Sequence, residues 1–317
     1  MANDIDYSEV YQGFIDEELE AASASQWMVP NDSQIDYSGG KDVKIAQLDV
    51  SGLGNYSTAN TNRYPSGSVK LGWKTYTMEM DRAVKFELGR LDPNDSHFMA
   101  TTENVTREFA RKQLVPEQDM FRFNRIYSAL AASDKYKGTH IQSVAKAATP
   151  ADVVAALKAL SIIVKDDSGD EADFVAFVSL KNEQAFRDES KNTNNSVTFQ
   201  REISVNGVSY RGVLLNDLPC IFVPSKRLQT VVKVQDGRTS GQEAGGIIAD
   251  STSQQVEFLI MNTSAPVAVS KIDSLKVFSA DENQTGDETT INYHLLYDLW
   301  VLENQIVTLA ACIRGNT

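Results

Sequence analysis

A chain of 317 residues, 42% of them hydrophobic, can bury one large core or two to three lobes, and its net charge of −13 disfavours tight binding to phosphate. No apolar run approaches the ~20 residues needed to cross a bilayer, and the acidic start Met1-Ala2-Asn3-Asp4 lacks the basic and apolar stretches of a secretory leader. Cys220 and Cys312 are the only two cysteines, too few and too far apart for a metal cluster, and read as buried thiols in a protein made in a reducing cytosol.

The first forty residues are polar and acidic. Tyr7 to Ala21 suits a turn or two of helix, with Val10, Phe14 and Leu19 on one side, and Ser38-Gly39-Gly40 closes the segment. It reads as an arm that needs another surface to become ordered. Residues 43–50 and 69–80 read as strands, joined by a polar tip of some fifteen residues that is too long for a simple hairpin turn. In the second strand Val69, Leu71 and Trp73 share one face. The apolar face then switches to Tyr76, Met78 and Met80. A strand with one buried face keeps its period of two, so the switch suggests a twist, a bulge, or a ribbon that meets different surfaces along its length. A two-stranded ribbon is marginal in water, so residues 43–85 are expected to lie on another subunit, a floppy surface loop being the alternative.

A long helix is expected over 102–131, capped by Thr102, with Val105, Phe109, Met120, Phe123 and Tyr127 at helical spacing. At 1.5 Å per residue it would be roughly 45 Å long. Pro116 removes a backbone donor and should kink it or split it in two. Thr149-Pro150-Ala151-Asp152 is a helix start, and Val153, Val154, Leu157 and Leu160 form the apolar stripe of that helix. Residues 173–180 read as a buried strand, 182–191 as a polar helix, and 203–211 as a hairpin turning at Asn206-Gly207. Further strands are expected at 220–224, 256–261 and 267–278, and the end is read as two strands, 291–302 and 306–313, paired around Glu303-Asn304-Gln305. The whole is an α+β chain.

No catalytic pattern emerges. His97, His140 and His294 have no metal spacing, Gly40-Lys41-Asp42 fails as a phosphate loop, and no nucleophile turn exists. The acidic run Asp166, Asp167, Asp170, Glu171 and Asp173 has a glutamate where a calcium loop requires glycine. No cofactor and no metal site is expected. A metal-dependent hydrolase using that run is a rival reading, disfavoured by the missing histidine partners.

Four phrases in order resemble the Hong Kong 97-type major capsid proteins of tailed phages. Val43-Lys44-Ile45 followed by Gly52-Leu53-Gly54-Asn55-Tyr56 looks like the start of that family's extended loop. Residues 75–92, with Asp81-Arg82 and Leu91-Asp92, look like the loop's return strand. Residues 114–125 carry a Val-Pro-Glu-x-Asp phrase typical of its long helix, and residues 297–306 resemble its final strand pair. The resemblance implies a phage capsid fold with an N-terminal arm (1–42), an extended β-ribbon loop (43–90), a peripheral domain with the long helix (91–148 plus 279–317) and a mixed α/β axial domain (149–278). It implies a non-enzymatic shell protein that assembles as hexamers and pentamers of an icosahedral head. The head would enclose DNA without sequence-specific binding and would be made in a bacterial cytoplasm. A separate scaffolding protein, a portal and an optional decoration protein would be its partners, with no membrane. Tyr56, Arg63, Tyr64, Trp73, Tyr76, Met78 and Arg82 are the candidate inter-subunit contacts. Lys70 and Lys74 lie on the return strand, but no crosslinking through them is expected. An encapsulin-like compartment enclosing a cargo enzyme is the rival on the same fold; a tail or decoration protein is disfavoured by the long helix.

Overall fold

The computed structural model describes residues 7–29, 35–37, 40–56, 64–89, 101–169, 173–192, 202–280, 283 and 286–315. In chain order these form α1 (Tyr7–Ala22), β1 (Ile35–Tyr37), β2 (Asp42–Val50), β3 (Val69–Thr77), β4 (Met80–Gly89), α2 (Thr102–Phe109), a π-helical turn (Ala110–Leu114) and α3 (Val115–Ala131). Next come α4 (Lys137–His140), β5 (Ile141–Val144), α5 (Pro150–Ser168), β6 (Phe174–Ser179) and α6 (Glu183–Asn192). After these the chain forms β7 (Ile203–Val205), β8 (Val208–Tyr210), β9 (Gly212–Leu215), β10 (Leu218–Val223), β11 (Val232–Val234) and β12 (Ile247–Ala249), then β13 (Val256–Asn262), β14 (Pro266–Phe278), β15 (Glu288–Val301) and β16 (Ala310–Arg314).

The centre is a six-stranded sheet in the order β5-β16-β13-β6-β10-β9. Both of its faces are covered, which is why β6 reads as an unbroken apolar run with every residue buried. One face packs Phe174, Ala176, Val178, Phe258 and Ile260 against the Val153, Leu157, Leu160 and Val164 stripe of α5. The other packs Val175, Phe177, Leu259 and Met261 against Phe123, Ile126 and Leu130 of α3 and against Trp27 and Met28. The start of α5 is a complete capping box. Thr149 Oγ1 accepts from Asp152 N, and the Asp152 carboxylate accepts from Thr149 N at 2.7 Å. The Asn206-Gly207 hairpin forms as read, both residues at positive φ.

The long helix runs without a break from Thr102 to Ala131, so Pro116 does not split it in two. Its π turn lies directly before Pro116, and Val115 N reaches back five residues to Ala110 O. A proline ring clashes with the carbonyl four residues earlier, so the widened turn takes up the mismatch that would otherwise break the rod. The cap is Thr101, whose hydroxyl accepts from Asn104 N at 3.3 Å, and not Thr102.

Three expectations change. The first segment does not wait for a foreign surface: α1 buries Ile15 and Leu19 against the long helix and β14, and Arg107 pairs with Glu17 at 3.1 Å and lies over the Phe14 ring. A polar sequence orders here because a few apolar residues sit at helical spacing and a buried carboxylate holds Ser23, Ala24 and Ser25 just beyond the helix. Asp119 accepts from Ser23 Oγ, Ala24 N, Ser25 N, Ser25 Oγ and Arg227 Nη1, all within 2.5–3.1 Å. Second, the two terminal strands do not pair with each other. β15 lies between β14 and β4 in a separate three-stranded sheet, β16 joins the six-stranded sheet, and a 3₁₀ segment (Glu303–Thr308) carries the chain between them. Third, the expected return strand is two strands. β3 pairs with β2, and after Met78-Glu79 the chain enters β4, which pairs with β15 from Tyr297↔Met80 to Glu288↔Gly89. Sheet membership thus cuts across the divisions expected from chain order, with β4 and β14 in one sheet and β16 in another.

Candidate assembly surface

Strands β2 and β3 pair antiparallel over nine residues each, from Asp42↔Thr77 at the root to Val50↔Val69 at the far end. At about 3.4 Å per residue the ribbon is roughly 30 Å long. Beyond it Ser51 N donates to Ser68 O at 2.9 Å and Ser68 N to Ser51 Oγ at 2.8 Å, so the pairing continues into the tip. A Cβ on Gly54 would lie 2.7 Å from the Pro65 ring, a close approach that only glycine permits.

The root is fastened to its own subunit. Val43, Ile45 and Met78 are buried against Val267, Val269 and Leu296 on the outer face of the β14-β15-β4 sheet, and Tyr76 packs on Trp300 with ring centroids 5.3 Å apart. Lys74 pairs with Glu303, whose carboxylate raises the Lys74 pKa. Asp81 Oδ2 accepts from Lys41 Nζ at 2.7 Å while Asp81 Oδ1 meets His294 Nε2 at 2.7 Å. The hydrogen bond from Lys41, with that from His294, holds the Asp81 carboxyl below its ordinary range. Lys271, at a bulge in β14, donates to Gly40 O.

Among the described residues the distal part has no such cover. Each of residues 50–56, 64–70 and 72–75 is exposed, including Val50, Leu53, Tyr56, Tyr64, Val69 and Trp73. Tyr56 and Tyr64 face each other across the tip in a T-shaped pair at 5.1 Å. The switch of apolar face falls where the ribbon leaves the body: Tyr76, Met78 and Met80 point into their own subunit, whereas Val69 and Trp73 remain in solvent.

The candidate contacts therefore divide. Tyr56, Tyr64 and Trp73 are exposed on the ribbon, Trp73 at 55%. Arg63 lies outside the described residues, as do His97, Leu91-Asp92, Asp170 and Glu171. Met78 is a correction: at 2% exposure it is core, because the chain turns into the body two residues before β4. Tyr76 is half-buried on Trp300. Arg82 is internal too, pairing through Nε with Glu117 at 2.7 Å and donating to Gln235 O at 2.9 Å. Sequence reading missed Val50 and Leu53, whose apolar character among polar neighbours was the available signal.

Among the described residues no group of three or more His, Cys, Asp or Glu could hold a metal ion, and no helix is long and apolar enough to cross a membrane. Cys220 and Cys312 are buried, and burial pushes both thiols up, away from the reactive thiolate.

No protein-family model matches the sequence, and a search of curated proteins gives no match. Solved structures do match. The capsid of cyanophage P-SCSP1u superposes with a TM-score of 0.61 at 13% identity, over 89% of this chain and 85% of that one. The mature capsid of bacteriophage PhiM1 gives 0.55 at 14% identity, over 88% and 84%. A virus-like particle from Pyrococcus furiosus gives 0.52 at 8% identity, over 97% and 100%. Across most of its length, then, the chain has the Hong Kong 97-type fold of tailed-phage capsid proteins.

Proposed function

We propose that this chain is a major capsid protein, a structural subunit with no catalytic role that assembles into the icosahedral head of a tailed phage around its double-stranded DNA. The observation that carries the reading is the ribbon: fastened at its root, and apolar and uncovered beyond it. Aromatic and aliphatic side chains left in water favour burial on a partner, at about 25 cal/mol per Å² of apolar area removed. The partner is an adjacent copy. Tyr56, Tyr64 and Trp73, with Val50, Leu53 and Val69, are the contacts this reading assigns to that interface. A heterologous contact that closes at two angles makes rings of six and of five from one chain. The acidic composition suits a wall that encloses DNA without adhering to it. A scaffolding protein and a portal are expected partners, with a decoration protein optional. The division into arm, loop, peripheral and axial parts is proposed with the boundaries that the resemblance implies, except that the β2-β3 ribbon itself ends at Thr77.

Deleting 55–68 tests this. The expected product is a subunit with unchanged circular dichroism that forms no closed shells in negative-stain images; normal particles would overturn the reading. The neighbour from Pyrococcus furiosus, a virus-like particle matched along its full length, keeps open a second and weaker reading, an encapsulin-like compartment that encloses a cargo enzyme. The contents of purified particles, DNA or protein, separate the two.

A further inference from the structure

We propose that His140 is a proton-operated latch joining the short helix α4, α5 and the approach to the last strand. The imidazole is fully buried. Its Nδ1 lies 2.9 Å from Leu309 O and its Nε2 lies 2.9 Å from Asp167 Oδ2. A carbonyl oxygen only accepts, and an ionised carboxylate only accepts. A neutral imidazole has one N–H and satisfies one of them. Both contacts are hydrogen bonds only when the pair holds a second proton. The latch has that second proton on the ring, where the two N–H groups reach Leu309 O and the half-exposed Asp167 carboxylate at once. The ring also stands beside the final turn of α5, where the helix dipole favours a cation.

The other groups around the ring leave that balance intact. Tyr136 lies against it with centroids 5.0 Å apart, and Lys135, which sits over the Tyr136 ring, is the nearby opposing charge. Lys137 is on the same short helix as His140. The Leu309 side presents Thr308, Leu309 and Ala310, none of which is charged.

Position gives the latch its leverage. His140 directly precedes β5 and Leu309 directly precedes β16, and these two strands pair in parallel from Ala311↔Ile141 onward. Asp167 ends the helix that packs on the same sheet. The protonated ring therefore pins the root of an edge pair in the central sheet. Loss of the proton leaves a lone pair facing either Leu309 O or the Asp167 carboxylate, and the joint loosens.

The test uses the full chain with ¹⁵N-histidine, its ring nitrogens followed from pH 5 to 9 beside amide exchange of Ile141–Val144 and Ala310–Arg314. His140 is identified by the signal missing from His140→Gln. Both ring nitrogens should carry hydrogen while these amides are protected. Protection should fall about five- to tenfold, the worth of one buried hydrogen bond, in step with loss of one ring hydrogen. In Asp167→Asn the amide can donate to a neutral ring, so protection should become independent of pH. A ring that is neutral while the strands stay protected overturns the latch, and so does pH dependence that survives Asp167→Asn. Shell formation does not enter either readout.

Discussion

Trp73 and Met78 stand five residues apart in one run of chain, and their surroundings predict opposite phenotypes. Met78 fills space among Val43, Ile45, Val267 and Leu296. Met78→Ala should destabilise the subunit by about 2–4 kcal/mol in chemical denaturation, the usual range for truncating a buried methionine. Trp73 touches no core, so Trp73→Ser should leave the subunit's unfolding midpoint unchanged while sharply reducing the yield of closed particles by sedimentation. A lowered midpoint for Trp73→Ser would place that ring in the subunit's own fold. Asp119 is the third residue of consequence. It is fully buried and holds the chain of Ser23, Ala24 and Ser25 against the long helix, with Arg227 as its ion pair at 2.6 Å. Asp119→Ala would leave buried donors and a guanidinium without their acceptor, and should cost about 3–5 kcal/mol in the same measurement. No local pattern hints at this hub, because its partners lie roughly a hundred residues away on either side.

The ribbon and the rod both depend on contacts with the body of the subunit. Lys41, Asp81 and His294 link β2, β4 and β15 where the ribbon leaves the body. The folded Asp81 carboxyl is held below its ordinary range, first by the hydrogen bond from Lys41. A depressed carboxylate contributes stability that is fully present above its unfolded pKa and is lost as pH falls through the folded one. Acidification below the ordinary carboxylate range should therefore loosen the ribbon root before the body unfolds. Amide exchange of Met80–Gly89 should rise at low pH in the parent chain and be raised already at neutral pH in Asp81→Asn. If exchange there does not differ between the two, the ion pairs do not hold the root. The rod was legible as a helix from its apolar spacing. That Pro116 would be absorbed by a π turn was not, because the turn's stability comes from Ala110, Leu114 and Val115 packing into the core beneath it.

Under the proposed function each copy both extends a ribbon and receives one, so a shell would multiply small differences. Chains lacking 55–68 that still fold should therefore poison assembly when mixed with intact chains, lowering the yield of closed particles more steeply than their share of the mixture. A yield falling only in proportion would mean that ribbons contribute independently of their neighbours. The local elements of this molecule were written in short-range pattern: the capping box at Thr149, the Asn206-Gly207 turn, the stripe of α5, the unbroken apolar β6, and the phrases that resemble a capsid protein. Each depends on residues within one or two turns of chain, where spacing alone determines which side chains meet. What the tertiary structure decided was partnership. It placed β16 with β13 instead of β15, turned Met78 inward and left Trp73 outside, and docked α1 on its own subunit. Those outcomes depend on contacts between residues distant in sequence, where apolar surface is exchangeable and only the competition among packed faces selects the partner.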